Sequence, residues 1–165
     1  MAHDQNAVRI SFFRKPTDKS TGGLDDDLDV QLILRPDIED RNFHYVTKAY
    51  AGPEYDWPHA VKQEPDAFVF TPDPSRRLRL SVTSGRFIRE PEWYYMVHRP
   101  LEAERGMDAA SDLFSPGYFS VFLKGGRTVH LDAGVNQTET PLFTKDAFFE
   151  SEPSASGPPR AERLT

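Results

Sequence analysis

Glu90, Glu92, Glu102, Glu104, Asp108 and Asp112 crowd one stretch of the chain, and carboxylates at that density raise acid-base chemistry first. Glycoside hydrolysis needs two of them facing a sugar about 5 to 9 Å apart, with one held protonated by its surroundings. Arg99 and Arg105 stand among these acids. A carboxylate beside a guanidinium is ion-paired and stays ionised, which suits structure better than proton donation. We therefore assign no catalytic residue. The run Trp93-Tyr94-Tyr95 lies in the same stretch and, with Arg99, has the residue types of a sugar platform: flat rings for C–H faces and charged forks for hydroxyls. Strand alternation puts Trp93 and Tyr95 on one face and Tyr94 and Met96 on the other, so one pair packs inward. The blander reading, a core and an interdomain seam, is the favoured one. The candidate set for carbohydrate or interdomain contact is Glu92, Trp93, Tyr94, Tyr95, Arg99, Glu102, Arg105, Asp108 and Asp112.

Other chemistries find less support. There is no Gly-rich phosphate loop, no Gly-x-Ser-x-Gly and no His-Glu-x-x-His, and His3, His44, His59, His98 and His130 are scattered without ligand spacing. Asp25, Asp26, Asp27 and Asp29 cluster, but a calcium loop would need a central glycine and a terminal glutamate, so we predict a solvated loop, no metal and no cofactor. The chain has no cysteine, which excludes disulfides and thiolate chemistry. A net charge of -6, with no basic run to offset it, disfavours nucleic acid. The polar N-terminus lacks a basic head and an apolar run, and nothing approaches the roughly 20 apolar residues of a membrane span. A cytoplasmic protein, with no membrane partner, is expected.

The elements that position the central stretch read as strands. The 165 residues of the chain, with 14 prolines and 10 glycines, suit one all-β domain with many turns. Strands are predicted at 8–13, 30–34, 68–70, 77–82, 87–99 and 118–123, the last forming a bulged hairpin with 128–133. In 77–82, Leu78, Leu80 and Val82 point inward and the arginines outward. Asp37 is placed to cap a helical turn reaching Arg41, and residues 52–65 read as a loop whose Trp57 pins it to the core. Leu101 to Arg105 forms a short helix stopped by Gly106, a second turn runs from Asp108 to Leu113, and Ser115-Pro116-Gly117 makes a turn. Leu142, Phe143, Phe148 and Phe149 add a last strand or dock on the surface. The domain is expected to span 1–150, with 151–165 a linker or tail.

The same stretch resembles a known family. Glu92-Trp93-Tyr94-Tyr95-Met96-Val97, Arg99-Pro100-Leu101-Glu102-Ala103-Glu104-Arg105-Gly106-Met107-Asp108 and Ser111-Asp112-Leu113-Phe114-Ser115-Pro116-Gly117 are similar to the N-terminal β-domain of bacterial and archaeal glycogen debranching enzymes of the amylo-α-1,6-glucosidase type. Arg35-Pro36 and Asp40-Arg41-Asn42-Phe43-His44 fit as well, and the resemblance covers about residues 28–133. It implies an antiparallel β-supersandwich of two sheets, preceding an (α/α)6 barrel that carries the acid and base of a glycoside hydrolase. No catalytic residue transfers to this chain. The resemblance thus points to a non-catalytic β-sandwich domain with one or two short helices, which supports a separate (α/α)6 glucosidase domain and contacts α-glucan. The rivals are a stand-alone carbohydrate-binding module, a structural or oligomerisation domain, and an enzyme in its own right.

Overall fold

The computed structural model describes residues 6–18, 22–42 and 45–135, and alternating apolar positions along them form two facing antiparallel sheets. In chain order the elements are β1 (Ala7–Phe13), β2 (Val30–Leu34), a 3-10 turn (Ala49–Ala51), α1 (Pro53–His59), β3 (Val61–Gln63), β4 (Ala67–Asp73) and β5 (Arg76–Val82). They continue with β6 (Arg86–His98), α2 (Pro100–Glu104), β7 (Ala110–Leu123) and β8 (Thr128–Val135). One sheet has the order β1-β8-β5-β4-β3 and the other β2-β7-β6. This is the expected all-β sandwich with short helices. The expectations for Leu142, Phe143, Phe148 and Phe149 and for the 151–165 tail lie outside the described residues.

Aromatic rings fill the space between the sheets. Phe68 meets Phe87 at 4.8 Å and Phe119 at 5.9 Å between ring centroids, and Phe87 meets Phe119 at 5.2 Å. Further along, Trp57, Phe70, Trp93 and Phe114 form a second group, with Trp57 stacked on Trp93 at 5.3 Å. Each fully buried phenylalanine contributes roughly 1.5–3 kcal/mol. Leu80 and Val82 are buried and Leu78 packs against the same core, as the alternation of β5 requires. Trp57 is buried too, pinning its segment as expected.

Five local expectations are corrected. Residues 52–65 contain α1 and β3, because Pro53 sits at the first helical position, where its missing N–H costs nothing. The turn around Asp37 is extended instead: Ile38 exchanges backbone hydrogen bonds with Phe114 at 2.8 and 3.1 Å and is buried against the core. No helical turn runs from Asp108 to Leu113; Asp108 Oδ1 accepts from Ala110 N at 3.1 Å and β7 begins there. Ser115-Pro116-Gly117 lies within β7 and does not turn the chain. A Cβ at Gly117, whose φ is 144°, would stand 2.1 Å from Ile88 O, so glycine is needed for the two strands to pass so closely. Finally, β7 and β8 are not a hairpin. The Lys124–Arg127 turn, closed by Arg127 N to Lys124 O at 3.2 Å, carries the chain from one sheet to the other, and β8 pairs with β1 and β5. The inward faces chosen for the two strands still hold, since Phe119, Val121 and Val129 are buried between the sheets.

The sheets are unequal in width. Val8 and Ile10 lie opposite Ala133 and Leu131, on the side of β1 that sends Phe12 to the core, yet both are exposed. The three-stranded sheet does not reach over this flank. On the other side of β1, Arg9 Nε meets Asp132 Oδ1 at 2.6 Å and Ser11 Oγ lies 2.8 Å from His130 Nδ1.

Candidate functional site

β6 pairs with β7 over most of its length, but it slips twice. From Arg89 to Glu92, and again from Tyr94 to Val97, β6 advances three residues while β7 advances two. Each slip is a β-bulge, and the second overturns the simple alternation expected for Trp93 to Met96. Trp93 packs on Trp57 and Phe114. Tyr94 emerges on the opposite side, and Tyr95 and Met96 are then both turned outward, 56% and 75% exposed. Met96 has φ 53°, a left-handed conformation that a residue with a Cβ adopts only when its surroundings impose it.

Asp112 imposes it. This carboxylate is 5% exposed, and its Oδ1 accepts from Met96 N at 2.8 Å while its Oδ2 accepts from Ala49 N at 2.8 Å. The backbone N–H of Asp112 donates to Thr47 O at 2.9 Å, and Thr47 N donates to Ser111 Oγ at 3.0 Å. Ser111 Oγ donates in turn to Glu39, which also receives Arg99 Nη2 at 2.6 Å and Arg41 Nε at 3.3 Å. The Ser111-Asp112 pair thus ties the segment before α1 to the second bulge of β6. Trp93 Nε1, Thr47 Oγ1 and Arg99 Nε are buried beside this network without a hydrogen-bond partner among the described residues.

The remaining charged groups form surface ties. Arg35 Nη2 meets Glu90 at 2.7 Å, its Nη1 meets Glu92 at 2.8 Å, and its guanidinium lies 5.5 Å from the Tyr118 ring centroid. Tyr94 donates to Glu92 at 3.1 Å, and that hydrogen bond holds the phenol above its ordinary range. Nearby Asp37 is pushed up by burial, against the pull of Arg35. Asp108 is held below the usual carboxylate range by the Ala110 amide and by Lys48 Nζ at 3.4 Å. Arg105 and Glu102 make a long contact of 3.9 Å on α2.

On the other side of the second bulge, Tyr50 and Tyr55 are 81% and 76% exposed. With Ala49, Gly52 and Glu54 they line an open depression of about 380 Å³. Tyr95 donates to Glu54 Oε1 at 2.6 Å, and that bond raises the phenol pKa. The Tyr55 ring rests on His59, centroids 5.0 Å apart. Sequence reasoning misses Tyr50, Glu54 and Tyr55: Glu54 and Tyr55 fall in the expected 52–65 loop, where α1 stands, and Tyr50 lies in the 3-10 turn just before it. Gly52-Pro53 before Glu54, a helix-opening proline followed by an acid, was the available signal.

The family model for the glycogen debranching enzyme N-terminal domain matches residues 1–130. The chain belongs to that family. Neither the comparison with curated proteins nor that with solved structures gave a match.

Within this glycogen debranching enzyme N-terminal domain, the nine candidate residues separate into three groups and a single residue. Trp93 and Asp112 face the interior, and Arg99 is half-buried on Glu39. Glu92 and Tyr94 lie with Arg35 on the outer side of the three-stranded sheet. Glu102, Arg105 and Asp108 edge the α2 excursion, and Tyr95 alone reaches α1, through its hydrogen bond to Glu54. No group of three or more His, Asp or Glu able to hold a metal occurs among the described residues, and no helix there is long and apolar enough to cross a membrane.

Proposed function

We propose that this domain is a non-catalytic part of a glycogen debranching enzyme-like protein of the cytoplasm, supporting a separate (α/α)6 catalytic domain and contacting α-glucan along the edge from Glu92 to Asp112. The observation that carries the non-catalytic reading is Asp112, the most buried acid of the stretch, whose two oxygens are each engaged by a backbone amide. A carboxylate so placed, 5% exposed and with both oxygens occupied by the protein's own backbone, offers no free face to a substrate. Glu92 on Arg35 and Asp108 on Lys48 support the same reading. Family membership supports the partnership with a catalytic domain.

The test is glucose release from branched dextrin by the full chain, beside its Glu92→Gln and Glu102→Gln variants. The expected result is no release above the dextrin blank. Release by the unaltered chain that either substitution abolishes would overturn the reading in favour of an enzyme.

A further inference from the structure

We propose that Tyr50, Tyr55 and Tyr95, with Glu54 as acceptor, form a binding site for a neutral pyranose oligomer; the inference rests on the α-glucan reading above and moves its contact point to the far side of the second β6 bulge. Three independent observations converge there. Tyr50 and Tyr55, exposed to 81% and 76%, line one open depression of roughly 380 Å³, and Tyr95, 56% exposed, is tied to its lining through Glu54. Their rings offer flat apolar faces, which a pyranose matches with its axial C–H groups. Second, the surroundings are acidic. Glu54 and Asp56 on α1, in a chain of net charge -6, repel an anionic ligand and leave a carboxylate to accept from hydroxyls. Tyr95 fixes the acceptor by donating to Glu54 Oε1, so the second oxygen is oriented before any ligand arrives.

The third observation is strain. Met96 at φ 53° and the Ala49 amide are held by the two oxygens of one buried carboxylate. Asp112 therefore sets the spacing between Tyr95 and Tyr50, which follow from different elements. A left-handed non-glycine residue at an exposed bulge is an unfavourable arrangement that fold stability alone does not call for. Its effect here is to turn Tyr95 out of the alternating pattern and towards Glu54.

The experiment is titration of the isotopically labelled full chain with maltoheptaose, read by amide and ring NMR shifts, beside Tyr50→Ala, Tyr55→Ala and the control Tyr45→Ala. Shifts that cluster at Tyr50, Tyr55 and Tyr95, with affinity falling roughly two- to tenfold on removal of either ring and unchanged by the control, are expected. Folding of each variant is verified from the dispersed core resonances of Phe68 and Phe119. Shifts that cluster instead around Arg35, Glu92 and Tyr94 would overturn this site and leave the α-glucan reading standing. No shift at millimolar maltoheptaose would overturn both, while the non-catalytic reading is decided separately by glucose release. Shifts at the depression that persist undiminished in both tyrosine variants would also overturn the site.

Discussion

At the Phe87 end of the β6–β7 ladder the strands pair without interruption, and Phe68, Phe87 and Phe119 fill the space beneath them. Beyond Arg89 the ladder slips twice, and at the Val97 end Ser111, Asp112, Glu39 and Arg99 add buried and half-buried hydrogen bonds to the apolar contact. The first end gains its stability from area removed from water and is tolerant of direction. The second depends on donors and acceptors at fixed positions, which specifies loop geometry more sharply and fails more abruptly when one partner is lost. Rigidity of that second kind is what a surface presenting rings to a ligand or a partner domain requires.

The largest break in this comparison comes from Phe119→Ala. Removing a fully buried ring at the apolar end should cost about 3–5 kcal/mol in chemical denaturation, with the loss spread over both sheets. Asp112→Ala acts at the other end. It leaves the Met96 and Ala49 amides buried without acceptors, for a cost of about 2–4 kcal/mol, and hydrogen exchange should accelerate first at Met96 and Ala49 and not at Phe87. Exchange that rises uniformly would show that the two ends are not held separately. The smallest change sharpens the contrast: Met96→Gly relieves the left-handed backbone and should raise stability by up to about 1 kcal/mol, measured by thermal unfolding. A loss would mean that the exposed Met96 side chain contributes more than its backbone costs.

The regular parts of this fold were legible where one physical rule acted alone. Leu78, Leu80 and Val82 announced their inward face because β5 runs straight, and Gly106 ended α2 as a positive-φ residue should. Prolines are poor guides where they do something other than break structure: Pro53 opens α1, and Pro116, expected in a turn, lies within β7 near the first slip of the ladder. The Lys124–Arg127 turn was recognisable as a turn, but whether a turn joins neighbours in a sheet or crosses between sheets depends on pairings more than a hundred residues away. The candidate site followed the same division. Strand alternation separates Trp93 from Tyr94, whereas the outward turn of Tyr95 arises from a bulge that no local periodicity encodes.

β1 has one neighbour in its sheet, β8, and their joining side chains Arg9 and Asp132 are 123 residues apart in sequence. A ribosome adding roughly 5–20 residues per second would need about 6–25 s to deliver the second after the first. During that interval β1 lacks the strand it pairs with, and Phe12 lacks Val129 opposite it, so the five-stranded sheet is completed only after nearly all of the described residues have been made.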